Sequence, residues 1–376
     1  MIPFNKPYFT GNEIKYIDDA VKRGHISGNG FYTKKCQEFF ENRYGFGKAL
    51  LTTSCTDALE MCALLLDIKP GDEIIVPSFT FVSTALAFVR QGAKIVFVDS
   101  CDSLPNIDPD RIEKLITVNT KAIVVVHYAG LVHRIDDIQN IASKHDLILI
   151  EDAAQAIEVK YKGQYAGSFG HLSTFSFHET KNISAGEGGM LVINDERFTR
   201  RAQIIWEKGT NRIEFFNGEV DKYSWVDTGS SFLPSEIISA TLWAQLERIE
   251  DIIQMRVSLW NTYKKEFVNW LKSNELQMMS VPENSSNNGH MFYIICRDKE
   301  QRNDIIAKLK SMGIMSVFHY QSLHNSPFYQ PRHDGRSLPN SDRFSDCLLR
   351  MPLFYELDIK SITTKLEGWH VSNSMP

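Results

Sequence analysis

From residue 48 to residue 150, short runs of consecutive apolar residues alternate with stretches whose apolar positions recur at helical spacing. Residues 49–52, Ala-Leu-Leu-Thr, read as a strand. Residues 56–66 read as a helix, because Leu59, Cys62, Ala63 and Leu66 fall on one face. A turn at Pro70-Gly71-Asp72 leads to a strand over 73–76, and a helix over 81–90 leads to a strand over 94–98. Asp108-Pro109 has the signature of a helix start, with the carboxylate as N-cap and proline at the first helical position. Strands over 121–126 and 147–150 flank a helix over 136–144. Strands that alternate with helices in this way pair in parallel, with helices on both faces.

The rhythm then changes. Strands over 174–177 and 190–194 have little helix between them, which predicts an antiparallel insertion near the sheet centre. Residues 234–270 read as one long helix or two abutting ones. Residues 283–289, Glu-Asn-Ser-Ser-Asn-Asn-Gly, are loop-like. After them come a strand (290–296), a helix (298–312), a strand (315–318) and a long loop rich in Pro, His and Ser. The expectation is an α/β protein with a large domain over 1–245, built on a mostly parallel sheet, and a small C-terminal α/β domain over 246–376.

The 376 residues leave room for two such domains. A hydrophobic share of 43% and a charged share of 23% exclude a disordered, collagen-like or coiled-coil chain. Lys and Arg total 41 against 46 Asp and Glu, so the basic excess of a duplex nucleic-acid binder is absent. The longest apolar runs fall far short of the roughly 20 residues that span a bilayer. The first seven residues, Met-Ile-Pro-Phe-Asn-Lys-Pro, lack the apolar stretch of a signal peptide. Cys36, Cys55, Cys62, Cys101, Cys296 and Cys347 are scattered, with no C-x-x-C, which fits neither a zinc site nor a disulfide scaffold. These features predict a soluble cytoplasmic protein with reduced thiols and no metal centre.

In a parallel sheet, ligands bind beyond the carboxyl ends of the strands, so the residues just after each strand are where chemistry is sought. Thr52-Thr53-Ser54-Cys55-Thr56-Asp57 joins a strand to a helix; its backbone N–H groups and hydroxyls suit a phosphate, although alone it reads as an ordinary N-cap. Phe79 and Phe81 follow another strand and could stack on a planar ring, although alone they read as core. Asp152 follows the apolar run 147–150 and could pair with a protonated ring nitrogen, or simply cap a helix. Lys181 follows the strand 174–177; desolvation would lower its pKa and make it a nucleophile for an aldehyde, whereas most lysines are merely solvated. Gly186-Glu187-Gly188-Gly189 allows a tight turn beside a ligand.

Taken together and in this order, a phosphate cup, an aromatic plate, a carboxylate for a ring nitrogen and a Schiff-base lysine are the four requirements of pyridoxal phosphate. Segment 71–81 (Gly-Asp-Glu-Ile-Ile-Val-Pro-Ser-Phe-Thr-Phe), His127-Tyr128-Ala129-Gly130, Glu151-Asp152-Ala153-Ala154-Gln155, residues 176–182 (Ser-Phe-His-Glu-Thr-Lys-Asn) and 186–189 resemble the pyridoxal-phosphate sugar aminotransferases grouped with the DegT, DnrJ, EryC and StrS proteins. The resemblance covers almost the whole chain from Pro3. It implies an aspartate-aminotransferase-like fold, that of a pyridoxal-phosphate-dependent transferase of type I. It also implies transfer of an amino group from L-glutamate to C4 of a dTDP-4-keto-6-deoxyhexose, giving dTDP-4-amino-4,6-dideoxygalactose.

By position, the resemblance makes Lys181 the catalytic Schiff-base residue and sets Asp152 against the pyridinium nitrogen. Gln155 would face the cofactor's 3-hydroxyl, and Phe81 would stack on its ring. Cys55, Thr56 and Ser176 would hold its phosphate. Asn29, Phe31, His319, Tyr320 and His324 are substrate-side candidates. Cofactor sites in the family form between two subunits, which implies a homodimer, and a Trp206/Trp225 surface would suit its interface.

Two departures stand out. Cys55 replaces a glycine of the phosphate cup, where only the backbone N–H is needed. In Gly229-Ser230-Ser231-Phe232-Leu233, Ser231 stands where many members have an asparagine that reaches the neighbouring subunit's phosphate, and Leu233 where they have arginine. Ser231 is thus a cofactor-binding candidate, and the clamp for the donor's carboxylate has no assignment. Competing readings are a gluco 4-amine or 3-amine product, and a cofactor-binding regulator without turnover. Relatives that dehydrate sugars typically carry histidine at the lysine position, which Lys181 argues against.

Overall fold

Neighbouring apolar residues on each central strand part to opposite sides. Leu50, Ile74, Val124, Ile150 and Leu191 enter one hydrophobic core; Leu51, Ile75, Val125, Leu149 and Val192 enter another. Successive side chains leave opposite faces of a strand, so an unbroken apolar run is what a strand covered on both sides requires.

A computed structural model describes residues 1–366 and 369. The main sheet contains β1 (Lys48–Thr52), β2 (Glu73–Pro77), β3 (Lys94–Val98), β4 (Thr120–Val126) and β5 (Ile148–Asp152). A hairpin of β6 (Lys160–Tyr161) and β7 (Gln164–Tyr165) precedes β8 (Leu172–Ser176) and β9 (Gly189–Ile193), which complete that sheet. Its order is β1-β9-β8-β5-β4-β2-β3. β9 runs antiparallel to both neighbours, and the pairings from β8 to β3 are parallel. The antiparallel strand therefore sits next to the edge strand β1 rather than near the sheet centre. The helices Phe31–Tyr44, Ile135–Lys144 and Glu236–Leu246 contribute to one core, and Cys55–Leu65, Ser83–Val89 and Thr199–Trp206 to the other.

A second sheet, β10 (Gln277–Met278), β11 (Phe292–Ile295), β12 (Val317–Phe318) and β13 (Leu348–Met351), has the antiparallel order β10-β11-β13-β12. Trp260 and Tyr263 of the helix Ile249–Glu266, and Ile305 and Leu309 of the helix Lys299–Ser311, pack with its Phe292 and Leu349. The same core takes in Phe79 and Tyr128, from the segments after β2 and β4. The small sheet is thereby held over the carboxyl ends of the main strands. Chain order and packing part company in places among the described residues. Ile2 pairs with Ile314, and Tyr329 and Leu338 pack into the main sheet's core.

Two sequence expectations change locally. Asp108 does cap, accepting from the Asp110 N–H at 3.1 Å, but it opens two 3₁₀ turns, Pro109–Arg111 and Glu113–Leu115, instead of an α-helix, because Ile116 returns to extended backbone. The segment 234–270 is three helices, Glu236–Leu246, Ile249–Glu266 and Val268–Ser273, parted at Arg248 and Phe267. Among the described residues no helix is long and apolar enough to cross a membrane, and all six cysteines are unpaired.

Candidate active site

A cavity of about 540 Å³ opens where the main strands end beneath the small sheet. Its floor is the start of the helix Cys55–Leu65. Ser54 caps that helix, its hydroxyl accepting from the Asp57 N–H at 3.1 Å. The Cys55 and Thr56 N–H groups have no acceptor among the described residues, as the first turn of any helix leaves them. Thr56 Oγ1 lies 2.8 Å from Ser83 Oγ, and Ser176, at the end of β8, lines the same floor. Here β9 passes very close to the helix start: a Cβ on Gly189 would fall 2.3 Å from the Cys55 nitrogen. Gly189→Ala is accordingly expected to cost about 1–3 kcal/mol by overpacking, as measured by thermal unfolding.

The consecutive acids at the end of β5 separate by strand alternation. Glu151, fully buried, points into the scaffold. It accepts from the N–H groups of Gly167 (2.8 Å), Phe169 (2.7 Å) and Gly170 (2.6 Å) and lies 2.7 Å from His127 Nε2. Burial opposes its ionisation, but His127 and the N–H groups outweigh that and hold its carboxyl below the usual range. Asp152 points into the cavity. It accepts from Thr84 Oγ1 at 2.7 Å and from the Ala154 N–H at 3.2 Å, and Thr84 Oγ1 lies 2.9 Å from Thr80 Oγ1. Burial raises the Asp152 carboxyl above the usual range, against the pull of these donors and of Lys181.

Lys181 lines the cavity within the turn after β8, where its backbone N–H donates to the His178 carbonyl at 2.9 Å. Protein walls enclose its amine while the cavity leaves part of it reachable. Desolvation pushes its pKa down, and Cys55 and Asp152 oppose the shift. A buried amine that sheds its proton more readily is a nucleophile for aldehydes and a base for carbon acids.

The upper wall mixes both sheets. Gln155, which lines the cavity, accepts at Oε1 from the Ala129 N–H at 2.7 Å, and its Nε2 donates to Tyr320 Oη at 3.1 Å, which leaves one amide hydrogen without a partner among the described residues. Ala129 holds this contact at a positive φ of 59°, a region L-residues seldom adopt. Tyr128 Oη lies 2.6 Å from His319 Nδ1, and the His319 and Tyr320 rings sit 3.6 Å apart. Phe81, half exposed, closes the outer side with its ring 6.0 Å from Tyr320. Asn182 Nδ2 donates to the Asn288 carbonyl at 2.8 Å, so its Oδ1 accepts from His290 Nδ1, also at 2.8 Å. That fixes His290 with its proton on Nδ1. Burial and the nearby Lys181 charge push its pKa well below the usual value, keeping the ring neutral.

An enclosed lysine, a buried acid and an unfilled helix start thus meet at the carboxyl ends of a parallel sheet. The sequence pattern of the DegT/DnrJ/EryC1/StrS aminotransferase family matches residues 7–366. The chain belongs to this family. It is 32% identical over 365 residues to the uncharacterized protein MJ1066 of Methanocaldococcus jannaschii, covering 94% of this chain and 92% of that one. Among solved structures it is similar to Helicobacter pylori PseC, an aminotransferase involved in the biosynthesis of pseudoaminic acid (25% identity, TM-score 0.88, 97% of each chain). It is also similar to Spr1654 of Streptococcus pneumoniae in its PMP form (26% identity, TM-score 0.89, 97% of this chain and 96% of that one). The protein is therefore an aminotransferase, and its fold is the type I, aspartate-aminotransferase-like α/β architecture expected from the sequence.

Within this aminotransferase, Cys55, Thr56, Phe81, Asp152, Gln155, Ser176, Lys181, His319 and Tyr320 all line the one cavity. Asn29, Phe31 and Ser231 do not; they line a second cavity of about 860 Å³. His324 does not reach the first cavity either. It is buried, with Nδ1 2.7 Å from Ser78 Oγ and Nε2 3.5 Å from Asp342, and it packs beside His333. Trp206 is a core residue whose indole donates to the Leu51 carbonyl at 2.6 Å, so only Trp225 of that pair is on the surface. Thr84, His290 and Arg350 belong to the site but escape sequence reasoning. Thr84 could have been suspected from its place one helical turn after Thr80, whereas His290 and Arg350 sit in or beside strands with no motif around them.

Proposed function

We propose that the protein uses pyridoxal phosphate to move an amino group from L-glutamate to C4 of a dTDP-4-keto-6-deoxyhexose, giving dTDP-4-amino-4,6-dideoxygalactose. The observation that carries this reading is the convergence of Lys181, Asp152 and the helix start at Cys55 in one cavity. The residues fit the cofactor. Two unpartnered N–H groups and the Thr56 hydroxyl would hold a phosphate at the positive end of a helix. Asp152, held by Thr84 and Ala154 where it lines the cavity, would face a ring nitrogen. Phe81 would cover the ring face, Gln155 would donate to the 3-hydroxyl, and the Lys181 amine would meet the aldehyde, all three lining the one cavity. Solved structures of Spr1654 in PLP and PMP forms support the assignment.

When bound, the cofactor supplies an electron sink and a carrier for the amino group. The chain's residues supply the rest. Asp152 holds a proton on the ring nitrogen. Lys181 takes a proton from the donor's α-carbon and, in the second half of the cycle, returns one to C4 of the sugar. The small sheet above the cavity excludes water from both transfers. In this reading the cofactor is held by residues within 1–245, and 246–376 closes over it.

The substrate assignment rests on the resemblance carried by the segments 71–81, 127–130, 151–155, 176–182 and 186–189, and on membership of a family whose structural neighbours include PseC. With L-glutamate and dTDP-4-keto-6-deoxyglucose, NMR of the product should show the small ring couplings of an axial C4 amine. Large couplings would mean the gluco product, and bound cofactor without turnover would mean a regulator.

The enzyme acts as a cytoplasmic homodimer in this reading. Asn29, Phe31 and Ser231 line the second cavity beside exposed Phe216, and Trp225 is exposed over 83% of its surface. A second copy seated on this face would bring these residues to the partner's cofactor. Sedimentation should give twice the 43.0 kDa chain mass; a monomer that retains activity would sink the shared site.

A further inference from the structure

His290, two residues before β11, is tied at every polar atom but one. Its backbone N–H donates to Asn288 Oδ1 at 3.0 Å, its carbonyl accepts from Arg256 Nη2 at 2.9 Å, and its Nδ1–H donates to Asn182 Oδ1 at 2.8 Å. The two asparagines are fixed in turn. Asn182 Nδ2 donates to the Asn288 carbonyl at 2.8 Å, and Asn288 Nδ2 donates to the carbonyls of Gln155 and Ile157, both at 2.9 Å. The ring's Nε2 has no partner among the described residues. It is not sealed in, as the Tyr293 hydroxyl is, and the open space that His290 lines is the cavity. With the proton on Nδ1, Nε2 can only accept. The Lys181 amine lines the same cavity and is likewise without a hydrogen-bond partner among the described residues. An acceptor without a donor and a donor without an acceptor thus share one enclosed space, and leaving either unmet is costly.

We propose that His290 is a positioning residue for Lys181, its Nε2 accepting a hydrogen bond from the free lysine amine and so aiming that amine at the carbon it serves. The inference rests on the aminotransferase reading of the cavity. Two other donors enter the cavity in that reading, the ammonium of the amino acid and a hydroxyl of the sugar. The chain itself favours Lys181. Asn182, which holds the ring, directly follows Lys181, so ring and amine are anchored on one turn. The lysine's flexible four-carbon stem carries its amine across the cavity. Of the charges that act on the ring, that of Lys181 is the largest influence, ahead of Arg350 and Arg256. A primary amine turns freely about its last C–N bond. One N–H held by a fixed acceptor stops that rotation and gives the lone pair a single direction, which proton transfer to and from carbon requires. Once the amine has taken a proton it donates to Nε2 more strongly, so it stays in place until the proton is returned. His290 itself takes no proton, because burial and the neighbouring positive charges keep its ring neutral.

Two amide substitutions separate the roles of the two ring nitrogens. His290→Asn keeps a donor near the place of Nδ1, for Asn182, and removes the acceptor. His290→Gln puts a carbonyl oxygen near the place of Nε2 and gives up the tie to Asn182. In stopped-flow on the cofactor-loaded enzyme, His290→Asn should slow both half-reactions, with glutamate and with the keto-sugar, roughly 10–100-fold at saturation, leaving KM within about twofold. His290→Gln should recover most of that loss. In the cofactor-free chain, His290→Asn should also lower the midpoint for labelling Lys181 with trinitrobenzenesulfonate by about one pH unit, the loss of one acceptor for the ammonium. Cys55, Asp152 and Arg350, which also act on that amine, stay in place. His290→Asn at wild-type rates overturns the proposal, as does an unmoved or raised midpoint. So does a loss confined to one half-reaction, which would make Nε2 an acceptor for that substrate. A His290→Gln enzyme slower than His290→Asn also overturns it, leaving the ring a strut for Asn182. Should His290→Asn fail to fold, nitrogen-15 NMR of the histidines in the cofactor-free wild type and in Lys181→Ala decides. The His290 Nε2 signal should move when the amine is removed, and an unmoved signal overturns the contact. Failure of the aminotransferase reading would register elsewhere, as a Lys181→Ala variant that keeps full turnover.

Discussion

Replacing Lys181 with alanine should abolish turnover and remove the visible absorption band of the bound cofactor. In the proposed reaction the amine has two tasks, joining the cofactor's aldehyde and moving the substrate proton, and among the described residues no other lysine lines the cavity. Loss of a residue that is both nucleophile and base costs on the order of 10⁶ in rate. The scaffold should survive, because the Lys181 backbone, not its side chain, makes the turn's hydrogen bond to His178. A folded, colourless and inactive variant is the expected result, checked by circular dichroism, absorbance and turnover together. Retained activity would remove Lys181 from the chemistry.

Asp152→Asn is the second large effect. The substitution keeps the shape and a contact to Thr84 but removes the charge that holds a proton on the ring nitrogen. A drop of roughly 10²–10³ in kcat is expected, the usual loss for one preorganised electrostatic group. A second consequence has a definite sign. Burial lowers the Lys181 pKa, and the Asp152 charge is one of the influences that oppose it. Removing that charge should therefore lower the Lys181 pKa further. In the cofactor-free chain, the pH profile for labelling Lys181 with trinitrobenzenesulfonate should have its midpoint below that of an ordinary lysine. In Asp152→Asn the midpoint should be lower still. A midpoint that rises would mean that the two groups do not feel each other.

How much of this was readable in the sequence depends on where each signal lies. β3 spans the residues expected from its apolar run, because a strand buried on both faces leaves no ambiguity of period. Asp152 and Lys181 were legible because the first ends such a strand and the second lies in the turn after one, so local order places them at one sheet edge. The start at Asp108-Pro109 gave the cap but not the helix, since the segment reverts to extended backbone at Ile116. The position of β9 was missed because antiparallel character can be read from the short link before it, but its neighbour β1 lies some 140 residues earlier in the chain.

The second wall of the site was not legible at all. His290 and Arg350 stand on or beside strands of the small sheet, and only the packing of that sheet over β2 and β4 brings them to Lys181. Conversely, His324 looked like its loop neighbour His319, yet the loop turns at Tyr320, with φ 58°, and sends the two histidines to opposite sides of the wall. Spacing along a loop carries no period, so nothing in the sequence separated a cavity residue from a packing one.

The decisive measurement is borohydride reduction of the pyridoxal-phosphate-reconstituted protein, with peptide mapping of the product. Here the peptide containing Lys181 should carry the cofactor's mass and no other peptide should. A label on a different lysine, or a protein that stays colourless and unlabelled after reconstitution, would contradict the account.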